Sequence, residues 1–274
     1  MKRWTIAAIT FALMASGLQA GASDTNRAMW VWDYPSSELV DFSTERGVDR
    51  LYLSAPPGFS SDSAYDVFLD RAHDAGIEVF ALAGDPLWAK RSRPFIRWVD
   101  EVVAHGGFDG LAPDVEPYAL SDWSNTKRRD RLISGYLRAL DDVRNHAEAL
   151  PVIPAVPFWW DEPEFAVKGN LLIDEVIERV DGIVVMAYRD TAEGPNGIIV
   201  LAQHEVSATA AAGKSVTIGV ETAPNSAHEH VTFFEEGSAV MEAELADVAA
   251  EWSSTSSYWG NAIHHYTSYA NLRP

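Results

Sequence analysis

Eight short apolar runs recur along this chain, and each of the first seven is followed by a longer stretch with amphipathic helical spacing. Parallel neighbours need a crossover long enough to hold a helix, so this alternation points to a parallel sheet with helices packed outside it. The strands are expected at 28–33, 48–55, 77–83, 110–116, 152–158, 182–188, 215–221 and 260–266. Helices are expected from near 36 and at 63–75, 93–104, 127–149, 171–180, 198–212 and 233–252. Gly76 closes the second of these, Asp62 or Ser63 can cap its start, and Asn125 can cap the fourth. Eight units with no remainder favour a closed barrel over an open sheet, and no glycine-rich dinucleotide fingerprint follows the first strand. The expected fold is α/β, a single (β/α)8 (TIM) barrel over residues 23–274. One strand resists: Pro151, Pro154 and Pro157 crowd 152–158, and proline lacks the N–H that an interior strand donates.

Residues 1–22 are set apart from this pattern. Lys2 and Arg3 precede an apolar run, residues 4–14, too short to span a bilayer, and Ala20-Gly21-Ala22 supplies small residues for a cleavage site. A secretory signal peptide is expected, with the remainder secreted or periplasmic and free of the membrane after cleavage. The chain has no cysteine, so an exported domain must be held by its core rather than by disulfides. The formal net charge of −19 becomes −21 once Lys2 and Arg3 are removed. Such a field repels nucleic acid and anionic membranes and favours neutral or cationic ligands. It also keeps a monomer soluble, which is the expected state.

Barrels of this kind place chemistry at the C-terminal ends of their strands. Those ends read Trp32-Asp33, Ser54, Gly84-Asp85, Asp114-Val115-Glu116, Trp159-Trp160-Asp161, Tyr188-Arg189-Asp190, Glu221 and His264-His265-Tyr266. Carboxylates with aromatic faces suit a sugar site: acids for proton transfer, rings for sugar C–H surfaces. The fourth strand carries the sharpest signal. Side chains alternate along a strand, so Ala112, Asp114 and Glu116 share one face, and two carboxyls that close push one pKa up. Such a carboxyl can act as a general acid near neutral pH. Glu221 ends the seventh strand, across the barrel, and could flank a glycosidic bond together with Glu116. Tyr188 could hydrogen-bond a reacting substrate. Trp32, Asp33, Tyr118, Trp159, Asp190 and His265 are the candidate substrate contacts; His264 and His265 are expected on opposite faces, with at most one of them at the mouth. No metal or other cofactor is expected, and there is no P-loop and no Gly-x-Ser-x-Gly elbow.

Phe108-Asp109-Gly110-Leu111-Ala112-Pro113-Asp114-Val115-Glu116 resembles the strand-four signature of the family 18 chitinases and their relatives. The Asp-Gly, the last Asp and the Glu match, while Ala112 stands in place of an acid. Met186-Ala187-Tyr188 is similar to that family's strand-six Met-x-Tyr, with Arg189 where the family has Asp and Asp190 one residue on. The resemblance implies Glu116 as the acid, Asp114 as positioner of a substrate N-acetyl group that acts as nucleophile, and Tyr188 as helper. Glu116-Pro117 and Glu221 also resemble the paired glutamates of retaining clan A glycosidases, with Val115 where an Asn usually precedes the first Glu. That resemblance implies Glu116 as acid/base and Glu221 as nucleophile. Both imply a glycoside hydrolase acting on a poly- or oligosaccharide. The alternatives are a carbohydrate-binding barrel without catalysis, which Ala112 suggests, and a metal-dependent hydrolase with Asp33, Asp85, Asp114 and Asp190 as oxygen ligands.

Overall fold

The computed structural model describes residues 25–274; the expected signal peptide lies outside the described residues. Eight parallel strands run β1 (Asn26–Val31), β2 (Arg50–Ser54), β3 (Glu78–Ala83), β4 (Gly110–Pro113), β5 (Ala155–Pro157), β6 (Gly182–Met186), β7 (Ser215–Glu221) and β8 (Tyr258–His264). The helices are α1 (Ser37–Glu45), α2 (Ala64–Asp74), α3 (Ser92–His105), α4 (Thr126–His146), α5 (Leu172–Arg179), α6 (Ile198–Ala212), α7 (Ser238–Trp252) and the short α8 (Tyr266–Ala270). Strand order is β4-β3-β2-β1-β8-β7-β6-β5, the (β/α)8 arrangement expected.

Period-two alternation sorts the strand residues into two layers. Ala28, Trp30, Tyr52, Phe80, Leu82, Ala112, Ile153, Ala155, Val184, Met186 and Ala262 fill the barrel interior. Their neighbours in sequence, such as Met29, Leu51, Val79, Leu111, Val185 and Ile263, face the helices. Register puts Trp30, Tyr52, Phe80 and Gly110 in one row across four strands. The row ends on a glycine because the Phe80 ring occupies its side-chain space: a β-carbon at Gly110 would lie 2.1 Å from Phe80 Cε1. Trp30 makes a similar demand on Gly219, two strands away on β7, where a β-carbon would lie 2.8 Å from its ring. Below the aromatic row, buried Arg50 is sandwiched 4.4 Å from the Phe80 ring and 4.0 Å from that of Trp259, and its charge is met by Glu78 at 2.6 Å.

Several expected boundaries move. The prolines cut the fifth strand to Ala155–Pro157, and the barrel closes on β4 by a single bridge, Leu111 to Val152. Two hydrogen bonds make it: Leu111 N–H to the Pro151 carbonyl and Ile153 N–H to the Leu111 carbonyl, both 2.8 Å. The prolines take part only as acceptors, Pro154 receiving Val184 N–H at 2.9 Å. The fourth strand stops at Pro113 rather than 116, and the sixth at Met186 rather than 188. The seventh helix begins at Ser238 rather than 233, because Gly237 (φ +88°) turns the chain just before it and Phe233 is buried in the preceding loop. The eighth strand lies two residues earlier than expected and ends at His264. Caps fall where the sequence placed them: Asn125 Oδ1 accepts Arg128 N–H at 3.2 Å and Asp62 Oδ1 accepts Ala64 N–H at 3.0 Å.

Gly110→Ala should destabilise the fold by about 1–3 kcal/mol through overpacking against Phe80. Phe80→Leu in the same chain should recover part of that loss. Denaturant unfolding of the two single variants and the double variant measures both effects.

Candidate active site

The path of the chain after β4 is fixed by one more ladder bond. Asp114 N–H donates to the Ala83 carbonyl at 2.9 Å, so residue 114 still follows the sheet although the strand has ended. Gly84 makes room for it, since a β-carbon there would lie 1.7 Å from the Asp114 carbonyl oxygen. Ala112 belongs to the interior layer and Val115 to the outer one, so the alternation carries past Pro113. Beyond Glu116 the chain enters a 3-10 turn, Pro117–Ala119.

Asp114 Oδ1 is buried and has no hydrogen-bond partner. Burial, and then Glu116 nearby, push this carboxyl up to about 7, while His264 pulls it down. Glu116 is held by a short hydrogen bond from the Tyr118 hydroxyl to its Oε1. The Tyr118 ring packs against Trp159 (5.2 Å between centroids), Trp123 (6.2 Å) and Trp160 (6.4 Å), so an aromatic cluster braces the carboxylate.

Glu221 is held differently. Its Oε1 accepts the N–H groups of Thr222 (2.8 Å) and Ala223 (2.7 Å), and its Oε2 meets His264 Nδ1 at 2.8 Å. His264 Nε2 in turn meets Trp32 Nε1 at 3.0 Å. Tyr188 lies within electrostatic reach of both carboxylate groups. Its ring lies 5.8 Å from that of His264, and its hydroxyl is pushed well above the ordinary value by burial, then by Glu221, Asp114, Tyr118 and Glu116. One hydroxyl therefore feels every acid that the sequence singled out as catalytic.

The other expected contacts are spread around this centre. Asp33 Oδ2 accepts from the Thr267 hydroxyl at 2.7 Å, tying the loop after β1 to α8. Trp159 is half-buried, between Tyr118 and Phe165. Asp190 N–H donates to the His230 carbonyl at 3.3 Å, linking the loops after β6 and β7. Arg189 is anchored to the Tyr188 carbonyl (2.6 Å) and Asn196 (3.2 Å), with its guanidinium 5.0 Å from the Phe158 ring centre. The two histidines are not on opposite sides: their rings lie 5.0 Å apart, because the strand and its alternation end at His264, and His265 starts α8. His265 Nδ1 is buried without a partner, and burial lowers its pKa. His264 itself was absent from the expected contacts. Its parity with interior Ala262, opposite to outer-layer Ile263, is the signal that finds it.

A perturbed carboxyl alone does not mark a site. Glu205 on α6 is fully buried, pushed up to about 9 by burial, and has no partner on either oxygen, yet it lies in the helical layer. The oxygen ligands imagined for a metal are dispersed. Asp33 holds Thr267 and Asp85 caps Leu87 N–H at 2.8 Å; among the described residues no three His, Cys, Asp or Glu side chains converge on a point.

Solved structures share this architecture. The chitinase of Chromobacterium violaceum aligns with a TM-score of 0.55 at 10% identity, over 89% of this chain and 95% of that one. The class V chitinase of Pseudomonas fluorescens gives 0.54 at 12%, over 89% and 97%. The PgaB (BpsB) glycoside hydrolase domain of Bordetella bronchiseptica gives 0.52 at 13%, over 90% and 95%. At these identities the likeness is one of fold, and the chain has the barrel fold of these three proteins. No family model matches the sequence, and no curated protein matches it.

Asp114 supplies a stability test. Its carboxyl in the folded chain titrates near 7, above the ordinary ~3.9 of aspartate, so folding favours its protonated form. Its contribution to stability is fully present below the unfolded ~3.9 and is lost progressively as pH rises from there to about 7. Asp114→Asn keeps the shape and removes the titration. The variant should melt close to the parent at about pH 4 and several degrees above it at about pH 8, as measured by scanning calorimetry.

Proposed function

We propose that the chain is a glycoside hydrolase of the substrate-assisted type, with Glu116 as general acid and Asp114 as the group that orients a substrate acetamide. The observation that carries this reading is the contrast between the carboxylates. Asp114 Oδ1 is buried, unpartnered and beside Glu116, whereas both oxygens of Glu221 are already held by two backbone N–H groups and His264. An unpartnered buried carboxyl oxygen is costly unless a ligand completes it. An acetamide N–H is such a ligand.

In this reading Glu116 protonates the glycosidic oxygen as the bond to the anomeric carbon breaks. The substrate's acetamide oxygen attacks that carbon, held in line by Asp114 and by the Tyr188 hydroxyl. Glu116, now a carboxylate, then takes a proton from the water that opens the intermediate. Tyr118 fixes the Glu116 rotamer, and its aromatic neighbours exclude water from one side of the pair. The substrate class is a poly- or oligosaccharide of 2-acetamido sugars. We also read the chain as an exported monomer, with residues 1–22 as its signal. A carbohydrate-binding barrel without turnover is the second reading, favoured by one observation: interior Ala112 stands where the chitinase resemblance calls for an acid.

Glu116→Gln should lower turnover of N-acetylglucosamine oligomers by roughly 10²–10⁴-fold with the fold intact. Undiminished turnover would remove Glu116 from the mechanism, and a parent protein that yields no product on long incubation selects the binding reading. Glu221→Gln should cost less than Glu116→Gln. A 2-fluoro glycoside should leave no sugar bound to Glu221 by mass spectrometry; a labelled Glu221 would select the two-glutamate mechanism instead.

A further inference from the structure

The mouth carries one exposed indole whose orientation is fixed by a relay that the catalytic reading leaves unused. Trp32 follows β1 and is 41% exposed, which is unusual for so large an apolar side chain. Its only polar atom, Nε1, sits 3.0 Å from His264 Nε2; His264 Nδ1 sits 2.8 Å from Glu221 Oε2; and Glu221 Oε1 accepts the N–H groups of Thr222 and Ala223. We propose that Trp32–His264–Glu221 is a positioning relay that holds the Trp32 face as a sugar-stacking wall and releases it when His264 becomes protonated. The proposal rests on the glycoside hydrolase reading and assigns Glu221 to binding rather than to bond cleavage.

The assignment follows from which atoms can donate. Indole N–H is a donor only, so the nitrogen it meets must carry a lone pair. His264 Nε2 is therefore unprotonated and Nδ1 carries the hydrogen, which it donates to Glu221. Glu221 can accept it because its other oxygen is already saturated by backbone donors. One tautomer of neutral imidazole satisfies every contact in the chain. A second proton on His264 would go to Nε2 and set two N–H groups against each other. The bond to Glu221 would survive and the bond to Trp32 would not.

The groups that face His264 come from five elements: Trp30 on β1 (5.6 Å between ring centroids), Asp114 beyond β4, Tyr188 beyond β6 (5.8 Å), Glu221 on β7 and His265 at the start of α8 (5.0 Å). The relay thus borders the same hydroxyl and carboxyl that the reaction uses. Holding an exposed ring in its binding orientation beforehand removes the ordering cost that a free indole would impose on each sugar bound.

The test measures binding of N-acetylglucosamine oligomers by calorimetry from pH 5 to 8, in the Glu116→Gln background so that no turnover intervenes. The relay should contribute roughly five- to tenfold to affinity at pH 8 and nothing at pH 5, the worth of about one hydrogen bond. Trp32→Phe keeps a ring without an N–H: it should bind roughly five- to tenfold more weakly than the parent at pH 8 and equal it at pH 5. His264→Gln offers an amide oxygen to Trp32 and an amide N–H to Glu221 without titrating, and should equal the parent at pH 8 and bind more tightly than it at pH 5. Asp114 titrates in every variant, so the differences between variants read the relay alone. A Trp32→Phe profile that keeps the parent's slope overturns the proposal, as does absence of binding at every pH. If Glu116→Gln proves fully active while KM shows these same variant differences, the catalytic assignment fails and the relay stands.

Discussion

The carbonyl oxygen of Asp114 occupies the space that a side chain at residue 84 would need, 1.7 Å from where its β-carbon would be. With the hydrogen bond from Asp114 N–H to the Ala83 carbonyl, this contact decides where the chain after β4 leaves the sheet. The rest of the site depends on it. It keeps Asp114 pointing inward above Ala112, sends Val115 out into the helical layer and turns Glu116 toward Tyr118. The acidity of the site follows from the same placement: a carboxyl held by its backbone over a closed apolar barrel loses water that it cannot replace.

Below the site the barrel solves a packing problem with glycine. Trp30, Tyr52 and Phe80 share one row, and three such rings leave no volume beside them. Gly110 and Gly219 supply the missing volume, so the interior is a filled core rather than a pore. The seam between β4 and β5 is the thinnest part of the wall. Prolines at 151, 154 and 157 remove three donors, and closure rests on the two bonds that Leu111 makes there. The site sits just above this seam, braced by the aromatic cluster of Tyr118, Trp123, Trp159 and Phe165 that spans the loops after β4 and β5.

The architecture was legible because strand and helix periods alternate without interruption and each strand is too apolar to be anything else. Its edges were not. Where strands end depends on backbone partners that come from elsewhere in the chain, so Met186 and His264 end their strands without a local signal. Within the site, Asp114 and Glu116 could be read because they share a parity. Tyr188 could be read from its place two residues past interior Met186. His264 was obscured by the strand boundary: a β8 placed two residues late makes the parity of 264 against 265 ambiguous. The relay from Trp32 to Glu221 joins residues 232 and 43 positions apart, and only the closed barrel brings them together.

Three carboxylates in this molecule show that burial, partners and function are separate questions. Glu205 is the most thoroughly buried and wholly unpartnered, but it sits within α6 in the helical layer and not at a strand end. Glu221 stands at a strand end but is saturated: two backbone donors and an imidazole leave its oxygens little to offer a new bond. Asp114 alone combines a strand-end position, an open hydrogen-bonding valence and an acidic neighbour within electrostatic reach. A ligand gains most where it completes an unsatisfied group that the fold already holds in place. By that criterion the unfilled valence at Asp114 locates the substrate's reacting end. The saturated Glu221, through His264, instead fixes the wall that the sugar lies against.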